Sequence, residues 1–327
     1  MYTPITYTLG RLNQKPKRLK ILTFPTHESH ATMLSGLEHD FYLLTGPQIK
    51  GWDFFTKPLP RNHYLLTQPF PPMPNGIEFD LLFAQEPNAL QRFLDIKKQT
   101  GLPLLSLTHT QPPPGVAPKQ LAKLQALRAD KHVFITEFSK NSWGGRPEDK
   151  IIYHGIDTNI FKGWNGLAAP HGISVVNQFA SRDVFCGWTE WQAVAAATPM
   201  KLVGENPGLS ASAKSTEDLV NQLCTARYFL NTSKWSPIPL SLLEAAACGC
   251  PIVTTNHQEI AKFFKHEENC LIANTAQEMM VATTRLKEDD ELCQRLGKAA
   301  RETILKYFDY QRFLTEWNSI FMETAKL

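Results

Sequence analysis

Apolar and polar positions follow two rhythms along this chain. Short runs rich in apolar and β-branched residues, with no regular alternation, recur at 19–24, 79–84, 102–108, 131–136, 173–179, 200–204, 226–231 and 252–255. A run with no alternation predicts a strand covered on both faces, as in a parallel sheet. The shorter runs 40–44 and 270–272 read as strands as well. Between them, apolar residues return at helical spacing in 31–37, 88–100, 119–129, 190–198, 239–248, 276–287 and 289–307. Ser29 is a candidate cap for the first of these helices, and Ser215 precedes a further capped start at 215–219. Strand and helix in alternation predict an α/β chain with parallel sheets.

Two stretches break the rhythm. Residues 45–78 are crowded with Pro, Gly and aromatics, and read either as an irregular wall or as a segment with short strands. Their Trp52, Phe54, Phe55, Tyr64 and Phe70 are suited to stacking on a sugar or base, and equally to a core. The last segment, 309–325, repeats Phe313, Trp317 and Phe321 every fourth residue, a stripe that predicts packing rather than catalysis.

Length and composition change this picture little. The 327 residues suffice for two domains, and 43% hydrophobic with 20% charged residues describes a globular protein. A net charge of +3 tolerates a phosphate-bearing partner without demanding nucleic acid. No apolar run is long enough to span a bilayer. The six cysteines lack zinc spacing, and with no signal peptide in view they read as reduced thiols in a cytoplasm.

The candidate chemistry lies in loops after predicted strands, where open parallel sheets bind their ligands. The loop after the first strand carries His27, Glu28 and His30, which could bond an acceptor hydroxyl or one another; two histidines with no third ligand make a metal site unconvincing. Another strand ends at His109. The densest stretch is 229–259: strand, loop, helix, turn, strand. The helix that begins near Pro239 and Leu240 would aim free N–H groups at a phosphate. One turn on, Glu244 can take hydrogen bonds from ribose hydroxyls, or is an ordinary solvated helix residue.

The segment LLEAAACGCPIVTT, followed by QEI, resembles the donor-site signature of the retaining glycosyltransferase family numbered four. The stretch 151–161, with its Gly155-Ile156-Asp157-Thr158, is similar to the segment that closes that family's first domain. The resemblance implies two Rossmann-like, doubly wound domains facing across a cleft, the GT-B arrangement. Their limits are expected at 1–162 for the acceptor side and 163–308 for the nucleotide-sugar side, with 309–327 crossing back. It also implies transfer of a hexose or pentose from a nucleoside diphosphate sugar, a UDP-sugar foremost, with retention and with no metal or other cofactor. By resemblance Glu244 holds the ribose, His109 stands near the transferred sugar and Arg182 clamps the diphosphate. Lys234 is the expected partner of Arg182, and Gly155, Pro239 and Leu240 are counted with the donor side. The family's first motif Glu is replaced by Ser236, which leaves the sugar and the stereochemistry open. The basic residues before position 18 and the aromatic stretch keep a second acceptor in view, hydroxymethylated bases in DNA. A third reading is a degenerate binder of nucleotide or glycan that turns nothing over.

Overall fold

The computed structural model describes residues 18–46, 49, 51–54, 57–67 and 76–327. The basic N-terminal segment, Phe55 and Phe70 lie outside the described residues. Strands β1 (Lys20–Thr23), β2 (Asp40–Thr45), β3 (His63–Thr67), β4 (Leu81–Ala84), β5 (Leu104–Thr108), β6 (Lys131–Phe134) and β7 (Lys150–Ile151) form one sheet in the order β3-β2-β1-β4-β5-β6-β7. Strands β8 (Gly172–Val175), β9 (Met200–Val203), β10 (Phe229–Asn231), β11 (Ile252–Thr254) and β12 (Leu271–Ile272) form another, ordered β12-β11-β10-β8-β9. Every pairing is parallel, for example Ile21 opposite Leu81 and Leu230 opposite Val253. The apolar runs are buried as their lack of alternation requires: Ile21, Leu22, Leu81, Leu82, Phe83 and Ala84 are all sealed from solvent.

Connecting helices cover both sheets: α1 (Glu28–Leu34), α2 (Pro87–Thr100), α3 (Pro118–Gln125), α4 (Glu137–Ser142), α5 (Asp183–Cys186), α6 (Trp188–Ala197), α7 (Thr216–Cys224), α8 (Leu240–Cys248), α9 (Ile260–Phe263), α10 (Ala276–Glu288), α11 (Asp290–Tyr307) and α12 (Tyr310–Thr324). The sequence explains their ends. Ser215 caps α7 by accepting from the Asp218 amide, and α8 stops at Gly249 in the left-handed region at φ 89. Thr275 and Glu278 close a capping box on α10. Ser29 does not cap α1; His27 occupies that position without a side-chain cap bond, and Ser29 faces a cavity instead. The run 173–179 leaves its sheet early, because Gln178 takes φ 50 and the Phe179 amide turns to the Asn206 side chain at 2.7 Å.

Helix α12 carries the aromatic stripe back to the first sheet. Phe313, Trp317 and Phe321 are fully buried among Leu19, Ile21, Phe41 and Phe83. Each such side chain contributes roughly 2–3 kcal/mol by leaving water. Between 45 and 78, β3 is the short strand the sequence left open. Trp52 is buried and donates to the Lys57 carbonyl at 2.8 Å, Tyr64 stacks on Tyr42, and Phe54 is exposed.

Candidate active site

In an open parallel sheet the ligand sits where neighbouring strands are wound in opposite directions. In the first sheet that point lies between β1 and β4, and in the second between β8 and β10. The loops after these strands line one cleft of about 700 Å3 between the two domains.

The first-domain wall is a cluster of imidazoles. The His27 and His109 ring centroids are 4.0 Å apart, those of His30 and His109 4.8 Å, and those of His30 and His154 6.4 Å. Gln85, just past β4, fixes two of them. Its Oε1 lies 3.1 Å from His30 Nδ1 and 3.3 Å from His109 Nε2, while its Nε2 faces Thr23 Oγ1 at 3.5 Å. Thr23 already donates to the Phe83 carbonyl at 2.8 Å and so accepts from the Gln85 amide nitrogen. Gln85 Oε1 therefore receives N–H bonds from both rings, and His30 Nε2 is left as a lone pair with no protein partner. Burial holds the His30, His109 and His154 pKa values below the ordinary range, that of His154 at about 4. The neighbouring imidazoles act in the same direction, so these rings are neutral near pH 7. Glu28 is buried beside them and accepts from the Asp53 amide at 3.4 Å.

Behind His109 the loop 110–114 is held from both domains. The Trp143 indole donates to the Thr110 carbonyl at 2.8 Å, and the Trp235 indole donates to that of Pro112 at 2.8 Å. Gln111 lies buried between them and lines the cleft with both amide atoms unpartnered.

The second-domain wall comprises Asn177, Arg182, Phe185 and the loop Trp235–Leu240, with Ser236 facing the cleft. Pro239 is the extended residue before α8, with no side chain capping the helix, so the first-turn N–H groups and the positive end of the dipole are open to a ligand. Arg182 is exposed at the rim, 3.4 Å from the Asn177 carbonyl.

Glu244 does not line this cleft. It lies in an adjoining hollow of about 210 Å3, with Val175, Gly204, Ser215, Leu219 and Lys57. Ser29, Asn177 and Leu240 border both cavities, so the two adjoin at the start of α8. Burial pushes the Glu244 carboxyl up to about 7, against a smaller opposite effect of the Lys57 ammonium. Lys57 reaches over from the first domain, 3.4 Å from Thr216 Oγ1.

Two other expected donor residues have partners of their own. Lys234 turns from the cleft and pairs with Glu190 at 2.7 Å, which the adjacent α6 puts within reach. Gly155 borders a further hollow with Glu244 and Leu240, and it also packs: a Cβ there would lie 2.4 Å from Phe313 Cβ, so its lack of a side chain lets α12 close over it. Gln85, Gln111, His154 and Lys57 escaped the sequence reading. The rule that singled out His109, a polar residue just past a parallel strand, also fits Gln85 and His154. Lys57 had no such signal inside an irregular stretch.

Fold and cleft together define a GT-B architecture. Residues 188–319 match a family model described as glycosyl transferase-like. The chain superposes on sucrose-phosphate synthase from Thermosynechococcus elongatus with a TM-score of 0.73 at 14% identity, covering 94% of this chain and 99% of that one. It superposes on HepE from Anabaena, in a complex with UDP and glucose, with a TM-score of 0.74 at 17% identity, covering 93% and 99%. Among curated sequences, an uncharacterized glycosyltransferase of Haemophilus influenzae is 25% identical over 221 residues, 60% of this chain and 62% of that protein. N-acetyl-alpha-D-glucosaminyl L-malate synthase of Bacillus anthracis is 24% identical over 112 residues, 34% of this chain and 29% of that protein. A putative glycosyltransferase of Bacillus subtilis matches over 27% of its own length. The chain thus spans less than two thirds of the length of each of these three curated sequence relatives.

Proposed function

We propose that this chain is a glycosyltransferase that moves a hexose or pentose from a nucleoside diphosphate sugar to an acceptor hydroxyl. The observation that carries the reading is the hollow around Glu244, which adjoins the main cleft at the uncapped start of α8. A nucleoside in the hollow would give its ribose diol to Glu244. Its diphosphate would lie at the junction, against the α8 amides, Asn177 and Arg182, and the sugar would project toward His109 and Ser236. Charge that develops on the departing diphosphate would meet fixed N–H dipoles and a guanidinium. The family match over the second domain and the neighbour solved with UDP support a UDP-sugar donor. We assign the acceptor side to 1–162, the donor side to 163–308 and the return segment to 309–327, with retention and no resident cofactor or metal.

Calorimetry against UDP-, GDP-, ADP- and dTDP-sugars tests the donor, and the anomeric configuration of the product tests retention. One clear donor whose affinity drops in Glu244→Ala supports the reading. A folded protein that binds none of them points instead to a chain that has lost donor chemistry.

A further inference from the structure

A diphosphate is multiply anionic, and the second domain has little charge to offer it. Among the described residues lining the main cleft, Arg182 is the one lysine or arginine, and it stands exposed at the rim. The ammonium of Lys234 is already matched by Glu190 at 2.7 Å. Glu244 deepens the deficit, because an ionised carboxylate that holds a ribose also repels the phosphate next to that ribose.

The first domain holds a cation in the right place. Lys57 is the one lysine or arginine among the described residues of the Glu244 hollow. It is half-buried, and with Ser29, Leu240 and Glu244 it also borders the further hollow, of about 200 Å3, that Gly155 lines. Leu240 opens α8 and lines the main cleft as well, so Lys57 shares a wall with both the carboxylate and the open helix end. Its field reaches Glu244, where it opposes the effect of burial. Among the described residues the ammonium has one hydrogen bond, to Thr216 Oγ1 at 3.4 Å, which is long for such a contact and easily exchanged. An ammonium on a flexible four-carbon stem can swing from there to a phosphate oxygen. We infer that Lys57 is the second cation of the donor site, a first-domain residue that binds the diphosphate of a nucleotide held by the second domain. Within the donor reading, on which this rests, Lys57 takes the place that the sequence suggested for Lys234.

Calorimetry on the full-length protein tests this with UDP, GDP, ADP and dTDP, each beside its own nucleoside. Lys57→Met keeps the apolar stem and removes the charge. Its affinity for the diphosphate that the wild type binds should fall at least about tenfold, the usual worth of a charge-assisted bond, and should depend less on added salt. Nucleoside affinity should be unchanged, and Lys57→Arg should retain most of the diphosphate affinity. In the wild-type protein the same diphosphate should protect Lys57 from reductive methylation, read by mass spectrometry, and the nucleoside should not. That readout needs no variant to fold. If the wild type binds a diphosphate but Lys57→Met binds it equally well, or Lys57 is methylated at the same rate, the inference falls and the donor reading stands. Equal losses for nucleoside and diphosphate would also overturn it, since Lys57 would then act on the ribose end alone. A wild-type protein that binds no diphosphate would overturn both.

Discussion

At the scale of single residues, burial sets the protonation of this site, and Glu244 is the clearest case. Its carboxyl ordinarily titrates at 4.5 and is pushed up to about 7. Between those values the folded protein holds a proton that the unfolded chain has released. The stability tied to that proton is complete below about pH 4.5 and is lost as pH rises through 7. Glu244→Gln, which carries no charge to desolvate, should therefore stabilise the unliganded protein at pH 8. The gain should be about 1–3 kcal/mol, since one pKa unit corresponds to about 1.4 kcal/mol and the carboxyl keeps some water contact. Urea unfolding at pH 8 and pH 5 checks this, and the difference from wild type should vanish at the lower pH. If the ionised form holds the ribose, nucleotide affinity should fall as pH drops through 7 in the wild type and stay flat in the Gln variant. The histidines act in the opposite sense. His63, His154 and His257 are each lowered from 6.5 to about 4, mainly by burial. Their contribution is complete above pH 6.5 and is lost as pH falls toward 4, because the unfolded chain takes up protons that the folded one refuses. Thermal midpoints should decline steeply across that window, and His154→Gln should flatten the decline.

At the scale of elements, the sequence was most legible where one physical rule decides the outcome. A run with no polar break, such as 81–84, fits a covered parallel strand, and Leu81–Ala84 is one. The stop of α8 at Gly249 and the start of α7 after Ser215 follow from local hydrogen bonding that needs no tertiary context. Where several side chains compete for one group, sequence failed. Lys234 had the right charge and the right loop, yet Glu190 from another helix claims it. Gln85 looked unremarkable until β1, β4 and β5 brought His30 and His109 to either side of it. Gly155 was legible as a motif, but its packing against α12 was not, because its neighbour Phe313 lies far along the chain. That contact yields a firm expectation. A Cβ at 155 would also lie 3.1 Å from Tyr310 Cα, backbone that cannot rotate away. Gly155→Ala should cost about 1–3 kcal/mol through overpacking. Denaturant unfolding would show the loss, and a variant as stable as the wild type would mean that α12 is free to move aside.

At the scale of the whole molecule, the cleft depends on how the two domains are held, and one buried carboxylate spans them. Glu259 precedes α9 in the second domain and is 4% exposed. Its Oε2 accepts from the Phe138 amide at 2.9 Å, at the start of α4 in the first domain, and its Oε1 accepts from the Tyr153 hydroxyl. Burial and this carboxylate together push the tyrosine up to about 12. Lys262 extends the junction, 2.8 Å from Glu137 and 3.0 Å from the Tyr153 oxygen. Charge-assisted bonds inside a buried junction are each worth about 1.5–3 kcal/mol, more than the exposed Lys262–Glu137 pair can offer. Glu259→Gln keeps the shape but removes the charge and leaves one acceptor oxygen where there were two. Because none of these groups touches the Glu244 hollow, nucleotide affinity should stay within about twofold of wild type. The relative placement of His109 and Ser236, on opposite walls, should loosen, and transfer should fall about 10- to 100-fold, since misplacing reacting groups by an ångström costs about that much. Small-angle scattering should register the looser junction as a larger radius of gyration, while Lys262→Ala, which leaves both bonds accepted by Glu259 in place, should move both readouts less than Glu259→Gln does. A Glu259→Gln protein with full transfer and an unchanged scattering curve would mean that the domain interface is held without this carboxylate's charge.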